Sequence, residues 1–254
     1  MNPELRFYFV LWCLWALVAI AVVPYLLLRP APYGRHSRKG FGPLVGARLA
    51  WLLMEAPSPL LMILYFVLGR RPHGVVAAVF LGLWLCHYLY RAFLFPLLLP
   101  ATSRPMPALV IASGALFNVV NAYLNGRWLF SLAEPRALAW LASPQFVVGS
   151  LLFFFGLCVH VLADRELRRL RRASGGERVL PRGGLFHFVS CPNYFGEIVE
   201  WLGFALATWS PGGLLFALWT AANLVPRAFH HQRWYREKFP DYPRARRAVV
   251  PFLF

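Results

Sequence analysis

Seven runs of apolar residues determine what this chain can fold into. Most are long enough to cross a bilayer, which takes roughly 17–25 residues as a helix. Charged residues make up 14% of the chain, against about 25% in an ordinary soluble domain. We therefore predict an all-α, polytopic membrane protein with seven transmembrane helices. They cover 7–28, 49–68, 75–99, 108–132, 145–162 with a basic helical extension, a stretch from 193, and 214–225 continuing toward 235.

The basic residues are unevenly distributed among the predicted loops. Of 26 Lys and Arg residues, most follow helices one, three, five and seven, and Arg6, Arg70, Arg71 and Arg136 lie on the other side. Cytoplasmic loops carry the excess of positive charge, so the N-terminus is predicted outside and the C-terminus in the cytoplasm. These residues flank apolar runs, so the net charge of +16 does not indicate nucleic-acid binding. The four cysteines lack the spacing of a zinc site, and no metal is expected.

Three polar residues share one face of the sixth predicted helix. Asn193, Glu197 and Glu200 follow one another at i, i+4 and i+7, directly after Pro192, a residue tolerated in the first turn. Carboxylates beside an apolar segment are costly to bury unless they are paired. The stripe is therefore either a structural cluster that ties helices together or a face that binds a cofactor.

Two further stripes lie toward the same predicted side of the membrane. His160, Asp164, Arg168 and Arg171 follow one helix face, and Arg227, His231 and Tyr235 follow another. Arginines with a histidine and an acid suit a ligand that carries rings and phosphates. Contact with anionic lipid is the alternative.

Glu55 and Tyr88 differ from these stripes because each lies deeper in an apolar helix, where we expect few charges nearby. A protonated glutamic acid and a tyrosine can both donate a hydrogen bond to a carbonyl oxygen. The pair could thus activate an apolar ketone, or simply join two helices. Pro57 and Pro59 follow Glu55, and a bend is predicted there.

Three common motifs for binding nucleotides or zinc are missing from the sequence. No GxGxxG follows a strand, and neither GxxxxGK[ST] nor HExxH occurs. A dinucleotide site in this chain is therefore not of the Rossmann type.

Two long C-terminal stretches resemble the steroid 5α-reductases (3-oxo-5-alpha-steroid 4-dehydrogenases). They are RGGLFHFVSCPNYFGEIVEWLGFALATWS at 182–210 and RAFHHQRWYREKFPDYPRARRAVVPFLF at 227–254. Shorter matches are PYGRH, LLMEAPS, CHYLYRAF, RPMP and ADRELRRLR. The resemblance implies a seven-helix membrane enzyme that uses NADPH to reduce the Δ4 double bond of a 3-oxo steroid.

Residue roles follow from the resemblance position by position. Glu55 and Tyr88 match the pair that engages the steroid 3-oxo group, and Trp51, Phe117 and Phe216 match apolar substrate contacts. The cofactor residues expected from the resemblance and the stripes together are Tyr33, Arg35, Arg91, Arg104, His160, Asp164, Arg168, Arg171, Asn193, Glu197, Arg227, His231 and Tyr235.

Three positions depart from the family pattern. Met54 replaces the usual glutamine, Ser113 replaces an arginine of the mammalian enzymes, and His160 replaces an asparagine. The first two face the substrate, so the identity of the steroid stays open.

One domain is predicted over 1–254, with substrate-side helices mainly in 1–132 and the NADPH side mainly in 145–254. We expect a monomer that contacts membrane lipid and an apolar ketone, and no nucleic acid or metal. It would reside in the inner membrane of a bacterium, or in the endoplasmic reticulum of a eukaryote. The rival functions are an isoprenylcysteine-type methyltransferase using S-adenosylmethionine and a non-catalytic sterol-binding protein.

Overall fold

Helices form nearly all of the regular structure in the computed structural model, which describes residues 2–36, 39–70, 74–177 and 179–253, without the side chain of Arg35. Two-residue strands, β1 (Leu44–Val45) and β2 (Met106–Pro107), pair antiparallel. The α-helices are α1 (Pro3–Leu28), α2 (Ala47–Glu55), α3 (Pro57–Val67), α4 (Val75–Tyr88), α5 (Phe95–Leu98), α6 (Ala108–Arg127), α7 (Pro144–Ala173), α8 (Pro192–Thr208) and α9 (Pro211–Lys238).

Among the described residues, five helical stretches are long and apolar enough to cross a membrane. They are Pro3–Leu28, Ala47–Val67, Val75–Leu98, Ala108–Leu132 and Pro144–Ala173. This confirms the prediction of a helical membrane protein. The count of seven spanning helices and the orientation of the termini stay predictions.

The helix is interrupted directly after Glu55, where the sequence predicts a bend. α2 ends at Glu55 and α3 begins at Pro57, with Ala56 between them in a helical conformation. Because Pro57 and Pro59 have no N–H, they cannot continue the hydrogen-bond ladder to the preceding turn. The interruption leaves Glu55 at the end of a helix.

A π-helical segment, Leu89–Leu94, begins directly after Tyr88 and includes Arg91. π-Helical turns are rare and occur often at functional sites. The wider turn changes the direction in which Arg91 projects relative to Tyr88. The apolar pattern of the sequence gave no sign of this segment.

Helices α7 and α8 touch backbone to backbone through glycines spaced seven residues apart. A Cβ atom added to Gly156 would lie 2.3 Å from the backbone nitrogen of Glu200, and one added to Gly196 would lie 2.5 Å from that of His160. Gly149 and Gly203 meet in the same way one step along the interface. Small residues allow such close approach between membrane helices. The contact sets His160 directly against α8.

Several elements end or begin at one end of the helix bundle, which we call the basic end. α1, α7 and α9 finish there, and α6 and α8 begin there. The C-terminal tail also packs at this end, where the backbone nitrogen of Cys191 donates to the carbonyl of Ala248 at 3.1 Å. Ala248 and Val249 are buried, so this part of the tail is a packed element.

We expect Gly156→Ala to destabilise the protein, because the new methyl group would meet the backbone of α8, which no side-chain rotation can relieve. Overpacking of this kind costs about 1–3 kcal/mol, and the melting temperature in detergent should fall. Gly82→Ala in α4 is the control, since nothing lies within 4 Å of its added Cβ. An unchanged melting temperature for Gly156→Ala would contradict the close contact.

Candidate active site

A cavity of about 780 Å³ opens at the basic end of the bundle. Its wall contains residues from the loop after α1, the segment before α6 and the loop before α8, and from the helices α2, α5, α7, α8 and α9 and the π-helical segment. The predicted site residues that line it are Tyr33, Trp51, Arg91, Arg104, Asp164, Arg168, Arg171, Asn193, Arg227, His231 and Tyr235. Three stripes that were separate in sequence therefore meet around one space.

Asp164 and Asn193 join α7 to α8 at the cavity wall. Asn193 Nδ2 donates to Asp164 Oδ1 at 3.2 Å. Asp164 Oδ2 lies 3.4 Å from His160 Nε2, and Glu197 Oε2 lies 3.9 Å from the same nitrogen. His160 thus stands among carboxylates from both helices, behind the wall.

Arg227 and His231 are held by Tyr194, a residue that the sequence analysis did not select. Arg227 donates to the Tyr194 hydroxyl at 3.1 Å, and that hydroxyl lies 3.1 Å from His231 Nε2. The Arg227 guanidinium also covers the Tyr33 ring at 4.8 Å from its centroid. This arrangement places aromatic faces and a cation side by side.

Glu55 has a charged neighbour, contrary to the expectation of few charges nearby. Arg91 Nε lies 3.6 Å from Glu55 Oε1, and Arg91 also lines the cavity. The expectation was wrong because the π-helical turn brings Arg91 beside α2, a relation that helical spacing within one segment cannot reveal. Arg91 therefore connects the cavity to Glu55.

Tyr88 and Glu55 do meet, through a third side chain. Tyr88 donates to Asn118 Oδ1 at 3.0 Å, and Asn118 Nδ2 donates to Glu55 Oε2 at 3.1 Å. Glu55, Tyr88 and Asn118 are all buried. The pair was predicted from the sequence, but Asn118 was not selected as a site residue. A polar side chain inside an apolar helix was the feature that could have indicated it.

The three predicted substrate residues are divided between two places. The ring centroids of Phe216 and Trp201 are 4.0 Å apart, and both residues belong to the apolar cluster that contains Tyr88. Phe117 packs against that cluster. Trp51 instead lies in the cavity wall, where the guanidinium carbon of Arg91 is 4.1 Å from the centroid of the Trp51 ring. The side chain of Arg35, a predicted cofactor residue, lies outside the described part of the structure.

Comparisons of the sequence with known proteins point to one family. A family model described as 3-oxo-5-alpha-steroid 4-dehydrogenase matches residues 104–254. The chain is 38% identical over 251 residues to steroid 5-alpha-reductase DET2 of Arabidopsis thaliana, with 96% of each chain covered. It is 39% identical over 243 residues to 3-oxo-5-alpha-steroid 4-dehydrogenase 2 of Homo sapiens, covering 94% of each chain.

The chain belongs to the 3-oxo-5-alpha-steroid 4-dehydrogenase family. A further relative, 3-oxo-5-alpha-steroid 4-dehydrogenase 1 of Bos taurus, is 40% identical over 245 residues, with 92% of this chain covered. The resemblance read from the C-terminal motifs is thus confirmed, and the chain is an oxidoreductase.

A buried cluster of His87, His160 and Glu200 lies behind the wall of the cavity. His87 Nδ1 is 2.9 Å from Glu200 Oε1, and His160 Nδ1 is 3.5 Å from Glu200 Oε2. Ligand atoms of the three lie within 4.8 Å of one another, close enough to share a metal ion. The two imidazoles also provide partners for the carboxylate without one, and the absence of a metal stays a prediction.

The cluster divides the α8 stripe into two parts. Glu200, fully buried, joins α4 to α7 through His87 and His160, which is the structural arrangement. Asn193 lines the cavity, whereas Glu197 is partly exposed but is not among the residues of the cavity wall. The structural alternative therefore describes Glu200, and the cofactor-binding alternative stays a prediction for Asn193 and Glu197.

We expect Glu200→Ala to destabilise the protein strongly, because two buried imidazoles would lose their common carboxylate. Removing one member of a buried ion pair typically costs about 3–5 kcal/mol. Thermal unfolding in detergent measures the effect. Glu166→Ala is the control, since its pair with Arg169 is exposed and lies on the same helix as His160, and its melting temperature should hardly change. Equal losses in the two variants would rule out a structural role specific to Glu200.

Proposed function

We propose that this protein reduces the Δ4 double bond of a 3-oxo steroid to the 5α-dihydro product, with NADPH as the cofactor. One observation carries the proposal. Arg91 lines the cationic cavity and also pairs with Glu55, so a cofactor site and a carbonyl-binding pair are in contact. The relatives named above support the same reaction, since one is named a steroid 5-alpha-reductase and the other a 3-oxo-5-alpha-steroid 4-dehydrogenase.

The cavity has the chemistry that NADPH requires. Its described wall combines cations with the rings of tyrosine, tryptophan and histidine. Arginine suits phosphates because its planar guanidinium binds two oxygens at once. The arginines are Arg91, Arg104, Arg168, Arg171 and Arg227.

Specific residues would hold the parts of the cofactor. Arg171 and Arg104 are exposed at the cavity rim, where they can reach phosphates. Asp164, Asn193 and Glu197 offer acceptors and donors to hydroxyl and amide groups. Tyr33, Arg168, His231 and Tyr235 complete the proposed cofactor residues of the wall. His160, which lies behind the wall, would act through Asp164, and Arg35 is assigned on the resemblance alone.

Glu55 and Tyr88 would act on the steroid ketone. Both can direct a hydrogen bond to its oxygen, and the bond strengthens as negative charge develops there. Polarisation of the enone would make C5 electrophilic. Addition of a hydride at C5 would leave an enolate, whose oxygen the two residues would hold, and the enolate would then take a proton at C4. When bound, NADPH supplies the hydride that C5 receives. The surrounding apolar cluster, including Phe216 and Phe117, would exclude water from the steroid.

S-adenosylmethionine, the cofactor of the rival methyltransferase, contains no phosphate. Its sulfonium is positive, so a wall with five arginines would repel it rather than bind it. The distribution of charge thus favours the reductase. A sterol-binding protein without catalysis would have no use for this wall.

We propose that the protein is a monomeric, single-domain enzyme that crosses the membrane seven times, with the N-terminus outside. α8 and α9 would supply the two additional spans, and the basic end would face the cytoplasm. NADPH would enter there, while the steroid would come from the lipid.

The experiment that tests the function uses NADPH deuterated at the transferable position and a panel of 3-oxo-Δ4 steroids. The purified protein in detergent should oxidise the cofactor and give a 5α product with one deuterium at C5, as mass spectrometry and NMR can show. Methyl transfer from labelled S-adenosylmethionine would instead identify the rival. In the same preparation, Arg171→Ala should weaken NADPH binding about tenfold or more, and the exposed Arg169→Ala should not.

The catalytic pair is tested by Glu55→Gln and Tyr88→Phe. Each keeps size and shape but removes a proton or a hydroxyl, so kcat should fall roughly 10²-fold or more while the affinity for NADPH stays near that of the wild type. Turnover is measured per folded molecule in detergent. Normal turnover in either variant would remove that residue from the mechanism, even if its melting temperature is lowered.

Topology is tested with reporters. A reporter after residue 254 should report a cytoplasmic location, and one ahead of residue 7 an external location. Arg and Lys dominate the loops on one side, which is the physical reason. Termini on the same side of the membrane would contradict seven crossings.

A further inference from the structure

Asn118 is a buried amide placed between the two residues assigned to the ketone. It lies in α6 and is 3% exposed. Its Nδ2 donates to the Met54 carbonyl at 2.8 Å and to Glu55 Oε2 at 3.1 Å, and its Oδ1 accepts from the Tyr88 hydroxyl at 3.0 Å. One side chain thus contacts three groups from two other helices.

The orientation of this amide is determined by its surroundings. The Met54 carbonyl can only accept, so the nitrogen of Asn118 must face it. The amide has two N–H groups, and the second is then directed at Glu55. Oδ1 is left to face Tyr88, and because an amide oxygen only accepts, the phenol must be the donor. The reversed amide would set an oxygen against a carbonyl.

The end of α2 gains hydrogen-bond donors at this point from outside its own helix. Pro57 and Pro59 have no N–H, and α2 ends just before them, at Glu55. A buried carbonyl or carboxyl group without a partner is costly. Asn118 supplies donors to both groups from a different helix, and so fixes the end of α2 relative to Tyr88.

We propose that Asn118 is a positioning residue, which holds the Glu55 carboxyl group and the Tyr88 hydroxyl at the separation that one ketone oxygen requires. The inference rests on the proposed function and goes beyond it. Tyr88 has a single hydroxyl proton, so it must turn from Asn118 Oδ1 to the ketone when the steroid binds. Asn118 keeps that hydroxyl partnered and oriented until then. Its bond to Glu55 Oε2 also orients the carboxyl group so that Oε1 faces Arg91.

The test compares Asn118→Leu with Asn125→Leu. Leucine is close to asparagine in size but has no polar atoms. Asn125 is the matched control because it is also buried in α6, and its amide nitrogen donates to Asn121 of the same helix. Steady-state kinetics with a 3-oxo-Δ4 steroid, NADPH affinity and melting temperature are measured on each protein in detergent.

Asn118→Leu should lower kcat about tenfold or more, with NADPH affinity within twofold of the wild type. Asn125→Leu should lower the melting temperature but leave kcat per folded molecule unchanged. In the double variant Asn118→Leu/Tyr88→Phe, the loss should be smaller than the product of the single losses, because Asn118 acts through Tyr88. Asn118→Ser replaces the leucine variant if that protein does not fold, since its short hydroxyl cannot span both partners.

Three results would overturn the inference. The first is near-normal kcat in a folded Asn118 variant of an active enzyme, which leaves the proposed function intact. The second is a fully multiplicative loss in the double variant, which would separate Asn118 from Tyr88. The third is a wild-type protein that binds NADPH but reduces no 3-oxo steroid, which would refute the proposed function itself and the inference with it.

Discussion

Polar groups inside apolar helices must find partners within the protein, because no water is available to them in the hydrocarbon. This requirement explains why the described chain joins its helices at a few polar points. Glu200 draws together α4 and α7 through two histidines. Asn118 draws together the end of α2 and the end of α4. Each point fixes helices that apolar packing alone would leave free to slide, because lipid tails are as apolar as leucine.

The glycine contact between α7 and α8 complements these polar points. Close backbone approach brings His160 within reach of carboxylates on α8. Asp164 and Asn193 then meet one turn further toward the basic end. A wider separation would leave these side chains without partners. Packing of the smallest residues and pairing of the polar ones are therefore parts of one arrangement.

Sequence patterns predicted much of this molecule. Five of the seven predicted spans followed from the length of their apolar runs, the interruption after Glu55 from Pro57 and Pro59, and the three polar stripes from helical periodicity. All of these are local properties of the sequence. Arg91 beside Glu55, Tyr194 between Arg227 and His231, and Asn118 between Glu55 and Tyr88 did not follow. Each depends on the contact of residues far apart in the chain, or on a π-helical turn that shifts the register after Tyr88. Helical spacing says which residues share a face, but not which helix that face meets.

The departures from the family pattern have a physical setting in this structure. Met54 packs its side chain against Gly114, where even a Cβ atom would lie 2.4 Å from it. That side chain therefore occupies space beside α6 and offers no amide to Glu55. Asn118, one turn further along α6, supplies an amide from the other direction. Likewise His160 brings a second imidazole to Glu200. In both cases a buried carboxylate of this chain has a polar partner from another helix, which is what the apolar surroundings require.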